Sequence, residues 1–165
     1  MPNPSLTQLR YPLRARTYPR PGAAALSLLL VSCASPRVLP TLDGGEPLVS
    51  SARSQIGRAY TFGGRSPEDG FDCSGLAWWA HREHDIDIPR SSELQYNGGL
   101  EVARESIAPG DLLFFDIDNQ GPTHVGIYTG RGTFIHAPSE GRGVRESRMD
   151  DPYWKERYLG ARRYR

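Results

Sequence analysis

Midway along the chain the apolar pattern changes period, and this change limits the possible architecture more than any other feature. Val49, Ala52 and Ile56 share one face of a predicted helix from Leu48 to Arg58, whose end Gly57 blurs. Leu76, Ala77, Trp79 and Ala80 can pack from a second helix running from Cys73 to about Glu83, with Asp72 as its cap. Pro89 stops any continuation, and Ser91 or Ser92 can cap a short helix through Tyr96, ended by Gly98-Gly99. The stretches Tyr60-Thr61-Phe62-Gly63-Gly64 and Pro67-Glu68-Asp69-Gly70 read as loop. After the turn Pro109-Gly110-Asp111 the runs become short and β-like. They are Leu112–Ile117, His124–Thr129 and Thr133–Ala137, the last two separated by Gly130-Arg131-Gly132. Val144-Arg145-Glu146 and Leu159 to Tyr164 are further strand candidates. Helices first and antiparallel strands after, with no βαβ alternation and no repeat, predict an α+β domain with its helices packed on a small antiparallel sheet.

The chain has 165 residues, which suits one domain with a leader. The net charge of +1 gives no support to nucleic-acid binding. It also hides an asymmetry: residues 1–32 hold four Arg and no acidic residue, so residues 33–165 carry 16 basic against 19 acidic side chains. Behind this basic lead comes the short apolar run Ala23–Val31, too short for a permanent membrane span and fitting an export signal. The run closes in Leu30-Val31-Ser32-Cys33-Ala34, which resembles the lipobox of bacterial lipoproteins. That resemblance implies cleavage before Cys33, lipid on its sulfur and an acylated amino end, hence membrane attachment through Cys33. Ala34, in place of a retaining Asp, points to the outer membrane, facing the periplasm. Pro36, Pro40, Gly44, Gly45 and Pro47 then suggest a flexible tether. The expected organisation is a signal over 1–32, a lipidated Cys and tether over 33–47, and a folded domain over 48–165.

The only cysteines are Cys33 and Cys73. If Cys33 carries lipid, Cys73 has no partner, and an unpaired thiol in an exported protein asks for a chemical reason. A thiol at a helix start is favoured as thiolate, a nearby imidazole can activate it, and a third polar group can orient that imidazole. Cys73, His124 and His136 fit those three positions, and adjacent antiparallel strands joined by a Gly turn can set the two His side by side. A metal site is not expected. Asp116 and Asp118 lie near the two His in sequence, but both imidazoles are needed by the thiol and no His-x-x-x-His pairing occurs.

Gly70-Phe71-Asp72-Cys73-Ser74-Gly75-Leu76 resembles the nucleophile motif of the NlpC family of papain-like cell-wall cysteine peptidases. Tyr60-Thr61-Phe62-Gly63-Gly64, Pro89-Arg90-Ser91-Ser92, Pro109 to Phe115, His124-Val125-Gly126-Ile127-Tyr128 and Phe134-Ile135-His136-Ala137 match that family's other segments in order, over about residues 48–164. Within it, the chain is most similar to short murein endopeptidase lipoproteins. The resemblance implies hydrolysis of peptide bonds in peptidoglycan stem peptides and cross-links by a monomer without cofactor. Cys73 would be the nucleophile and His124 its ion-pair partner and proton carrier, with His136 holding the His124 ring. The Cys73 amide and the Tyr60 hydroxyl would be the oxyanion donors. Asp72 has two readings, which can hold together: helix cap, and contact with a free substrate amine together with Ser74. The D-alanyl–diaminopimelate cross-bridge is the expected bond. The alternatives are the γ-D-glutamyl–diaminopimelate bond, a wall amidase, or a non-catalytic wall-binding lipoprotein.

Three further readings complete the sequence. Trp78 and Trp79 are adjacent, so at most one faces the core. The Tyr153–Tyr158 stretch reads as a structural return to the sheet, and Arg157, Arg162, Arg163 and Arg165 as a solvated basic end.

Overall fold

A computed structural model describes residues 45–139 and 141–165. Cys33, the signal and most of the tether lie outside the described residues. Among the described residues there are four helices and eight strands, mostly helical first and β-rich after as the change of period predicts, except that a short hairpin precedes the second helix and a helix precedes the last strand. They are α1 (Gly45–Ser54), β1 (Arg65–Ser66), β2 (Gly70–Phe71), α2 (Cys73–Arg82), α3 (Ser92–Gly98), β3 (Leu100–Val102), β4 (Leu112–Phe115), β5 (His124–Tyr128), β6 (Thr133–His136), β7 (Arg145–Arg148), α4 (Pro152–Arg157) and β8 (Tyr158–Arg163). A 3-10 turn, Arg104–Ser106, links β3 to β4. The main sheet has six strands in the order β3-β8-β4-β5-β6-β7, with antiparallel neighbours throughout. β1 and β2 form a separate antiparallel hairpin within the stretch that reads as loop.

β4 explains how the sheet holds two cores. Leu112 and Phe114 point to one face, where Leu48, Val49 and Ala52 of α1 and Leu76, Ala77 and Ala80 of α2 pack. Leu113 and Phe115 point to the other, against Phe134, Ala161, Trp154 and Tyr158. All four β4 side chains are fully buried. A strand covered on both faces carries an unbroken apolar run where a half-exposed one would alternate.

Helix α1 begins at Gly45, earlier than the apolar spacing suggests. A Cβ on Gly45 would fall 1.7 Å from the Pro109 carbonyl oxygen, so this glycine is required by close packing. Pro47 is tolerated because the first helical turn has no internal partner for its missing N–H. Within the basic end, two arginines are engaged where solvation was expected, while Arg165 is exposed: Arg163 forks onto both Asp111 oxygens at 2.6 and 2.7 Å, and Arg162 donates to the Tyr96 carbonyl while lying over its ring. Trp78 and Trp79 both pack half-buried against the helical-side core, contrary to the expectation that at most one faces it: Trp79 lies on Phe71, and Trp78 also lies under the guanidinium groups of Arg65 and Arg82.

Candidate active site

The thiol is set by the start of α2. Asp72 adopts an extended conformation and caps the helix, its Oδ1 accepting from the Gly75 amide at 2.6 Å. The same carboxylate ties down neighbouring pieces of chain. Oδ2 accepts from the Gly63 amide at 2.9 Å, and Arg90 donates to both oxygens at 2.9 Å. Arg90 also donates to the Ser74 hydroxyl and the Gly64 carbonyl, so one guanidinium joins the 60–64 loop to the first helical turn. Gly75 lets these parts meet: a Cβ there would lie 2.0 Å from the Gly64 carbonyl oxygen. Gly75 thus packs closely against this loop. Tyr60 forms a parallel bridge with Phe71, two residues before Cys73, and packs half-buried against the helical-side core. Gln95 of α3 supports the turn from behind, donating to the Ser74 and Pro89 carbonyls from a fully buried position.

The imidazoles come from the sheet. His124 opens β5 and His136 closes β6, each about 1% exposed, and His124 Nε2 lies 2.8 Å from His136 Nδ1. The ladder pairs Ile127 with Ile135 and Tyr128 with Phe134, so the two His meet diagonally and not face to face. Gly126 makes the approach possible, since a Cβ on it would lie 2.4 Å from the Phe134 ring and 3.2 Å from the His136 Cβ. His136 Nε2 lies 2.9 Å from the Ser147 hydroxyl on β7. The Cys73 thiol rests against the backbone on either side of His124, donating to the Thr123 carbonyl at 3.9 Å and receiving the Val125 amide.

Burial dominates the electrostatics. It pushes the Cys73 thiol up to about 11, against the pull of the Val125, Ser74 and Cys73 amides, and Asp72 adds to the rise. The helix start does favour the thiolate, as the sequence suggests, but removal from water outweighs it. Burial also pushes His124 down to about 4 and His136 further down, with His124 and Arg145 adding to the latter. Burial thus favours the neutral thiol and the neutral imidazoles at rest. As a residue Cys73 is half-buried.

Asp72, Cys73 and Ser74 share one segment, which Tyr60 meets through its bridge to Phe71, and His124 and His136 lie on adjacent strands. Three side chains around them are not identifiable as site residues from the sequence. Arg90 lies in Pro89-Arg90-Ser91-Ser92, but nothing local tells its partner. Ser147 sits on a polar strand with no motif. Trp154 stacks on His124 with ring centroids 5.3 Å apart and stands edge-on to His136 at 4.8 Å. Its segment, expected as a return to the sheet, is helix α4 before it becomes β8. Asp151 caps α4 through the Tyr153 amide and Pro152 begins it, an Asp-Pro signal legible in the sequence. Among the described residues no cluster of three or more His, Cys, Asp or Glu could hold a metal, and no helix is long and apolar enough to cross a membrane.

Comparison with known proteins matches the NlpC/P60 family over residues 57–163. The chain is 40% identical over 113 residues to murein DD-endopeptidase MepH of Escherichia coli, covering 66% of this chain and 42% of that one. It is 42% identical over 120 residues to a gamma-DL-glutamyl hydrolase of Bacillus subtilis, covering 72% of this chain and 29% of that one. A crystal structure of an NlpC/P60 family protein from Bacillus cereus superposes with a TM-score of 0.68 at 38% identity, over 73% of this chain and 40% of that one. The chain therefore spans less than half the length of each.

Proposed function

The chain belongs to the NlpC/P60 family, and from that premise we propose that it hydrolyses peptide bonds in peptidoglycan, with Cys73 as nucleophile, His124 as proton carrier and His136 as its orienter. The observation that carries this reading is the His124–His136 hydrogen bond, made from strands whose backbone also holds the Cys73 thiol. The chain of bonds has one direction that leaves a base for the thiol. His124 Nε2–H donates to His136 Nδ1, and His136 Nε2–H donates to Ser147, so His124 Nδ1 keeps its lone pair. The thiol proton passes to that nitrogen as sulfur attacks the scissile carbonyl carbon. The oxyanion is received by the Cys73 amide and the Tyr60 hydroxyl. The C–N bond then breaks as His124 returns the proton to the leaving amine. A water, deprotonated by His124, cleaves the thioester and restores the thiol.

We further propose the D-alanyl–diaminopimelate cross-bridge as the bond cut. Support comes from Asp72. Its carboxylate accepts from the Gly75 and Gly63 amides, from Ser74 and twice from Arg90, which uses all the acceptor sites a carboxylate offers. Asp72 is thus a helix cap and loop tie with nothing left for a free substrate amine, the contact that stem-peptide cleavage would use. The name of the Escherichia coli relative, a DD-endopeptidase, agrees with this choice. The Bacillus subtilis relative, a gamma-DL-glutamyl hydrolase, marks the alternative. The leader motif supports anchoring through lipid on Cys33, which would hold the enzyme in the cell envelope.

Mass analysis of digested peptidoglycan tests the reaction class. New amino ends within the peptide, absent with Cys73→Ala, are the expected products. Sugar-free stems would indicate an amidase, and equal digestion by the folded Cys73→Ala variant would overturn the mechanism.

A further inference from the structure

Beside the imidazole pair lies a cleft of about 770 Å³, open to solvent and lined by His136, Ser147 and Trp154, with Arg142, Arg145 and Arg148 on its wall. Its charges are unequally satisfied. Arg148 is held by Asp150 through two hydrogen bonds. Glu146 is taken by Arg53 at 2.7 Å and by the Thr133 hydroxyl. Asp151 is occupied as the cap of α4. Arg142 and Arg145 have no carboxylate partner among the described residues, and both are exposed. The cleft therefore presents two guanidinium groups with no ion-pair partner among the described residues, and Ser147 lines it as well. Guanidinium groups in this state select carboxylates, which they bind through paired N–H donors.

We propose that this cleft is a carboxylate subsite, in which Arg142 and Arg145 bind a free carboxylate of the acidic peptide substrate. The inference rests on the proposed peptidase reading and deepens it, adding a binding determinant outside the Cys73–His124–His136 set. The Ser147 bond to His136 lies on the same wall, which joins the occupied cleft to the relay.

The test uses the full chain and one muropeptide preparation in two forms, with carboxylates free or converted to primary amides. Parent protein should lose about tenfold or more in kcat/KM on amidation, chiefly through KM. The Arg142→Gln/Arg145→Gln double variant should be as slow on the free acid as the parent is on the amide, and indifferent to amidation. Equal cleavage of both forms by the parent would overturn the subsite. So would an acid preference that survives in the double variant. If folded parent protein cleaves neither form, the peptidase reading fails separately. Calorimetric binding of both forms to the Cys73→Ala variant then decides the cleft by itself, with preference for the free acid supporting it and equal or absent binding overturning it.

Discussion

Trp154 lies stacked on the His124 imidazole, with the ring centroids 5.3 Å apart and the planes 24° from parallel. The same indole meets His136 edge-on, so one side chain from α4 shields both rings of the pair from water. Trp154 is therefore a positioning residue. Trp154→Ala should lower kcat by about a hundredfold, the scale at which a misplaced catalytic group acts, with a smaller effect on KM. Loss of shielding should also move the His124 imidazole from its depressed value back toward the ordinary range, which NMR titration reads. Trp154→Phe should restore most of both. A Trp154→Ala protein with parental kcat and an unmoved His124 titration would contradict the assignment.

The Asp72–Arg90 fork holds the nucleophile segment as one unit. Removing Arg90 leaves a carboxylate that is only 13% exposed short of two charge-assisted bonds. Arg90→Ala should cost about 1–3 kcal/mol of stability, read from urea unfolding. Arg90→Lys should recover little, since one ammonium cannot reach both oxygens, Ser74 and the Gly64 carbonyl in a single plane. A lysine variant as stable as the parent would show that charge alone suffices.

The thiol state is a separate question with a direct optical answer. Burial raises Cys73 toward about 11 and lowers His124 to about 4. At pH 7 the difference in thiolate absorbance between parent and Cys73→Ala should be near zero, growing only in alkaline solution. Subtracting the variant removes any contribution from Cys33. A thiolate band already present at pH 6 would show that the ion pair survives burial.

Stability should fall with acid. His81, His124 and His136 are all held below their ordinary value of 6.5 by burial, His81 to about 4. The folded state binds fewer protons at these groups than the unfolded chain, so their contribution is full above pH 6.5 and is lost as pH falls from there toward 4. His81 shows the cost plainly. Its Nδ1–H donates to the Ala77 carbonyl, and its buried Nε2 has no partner for a second proton among the described residues. The loss for His81 at pH 5 is on the order of 2 kcal/mol. The urea midpoint should drop between pH 7.5 and 5, and less so in His81→Leu. A midpoint independent of pH over that window would contradict the burial of all three.

Local chemistry made much of this site legible. Asp72 as cap, Cys73 at the first turn and Ser91 as the next cap follow from short-range rules, and the structure has all three. The two His meet as expected because a Gly turn between strands sets a narrow range of registers. What escaped depended on distant partners. Arg90 reaches Asp72 across 18 positions, and Ser147 reaches His136 across strands. Trp154 covers His124 only because α4 interrupts the chain before β8. Gly45 reads as linker in the sequence, and its need for close packing shows only once Pro109 is beside it.

The most direct measurement is digestion of purified muropeptides, monomeric and cross-linked, followed by product masses. The account predicts that cross-linked dimers disappear while tetrapeptide monomers stay intact, and that Cys73→Ala leaves both unchanged. Cleavage of the monomers after γ-D-glutamate would contradict the choice of bond, and loss of dimers with Cys73→Ala would contradict the nucleophile.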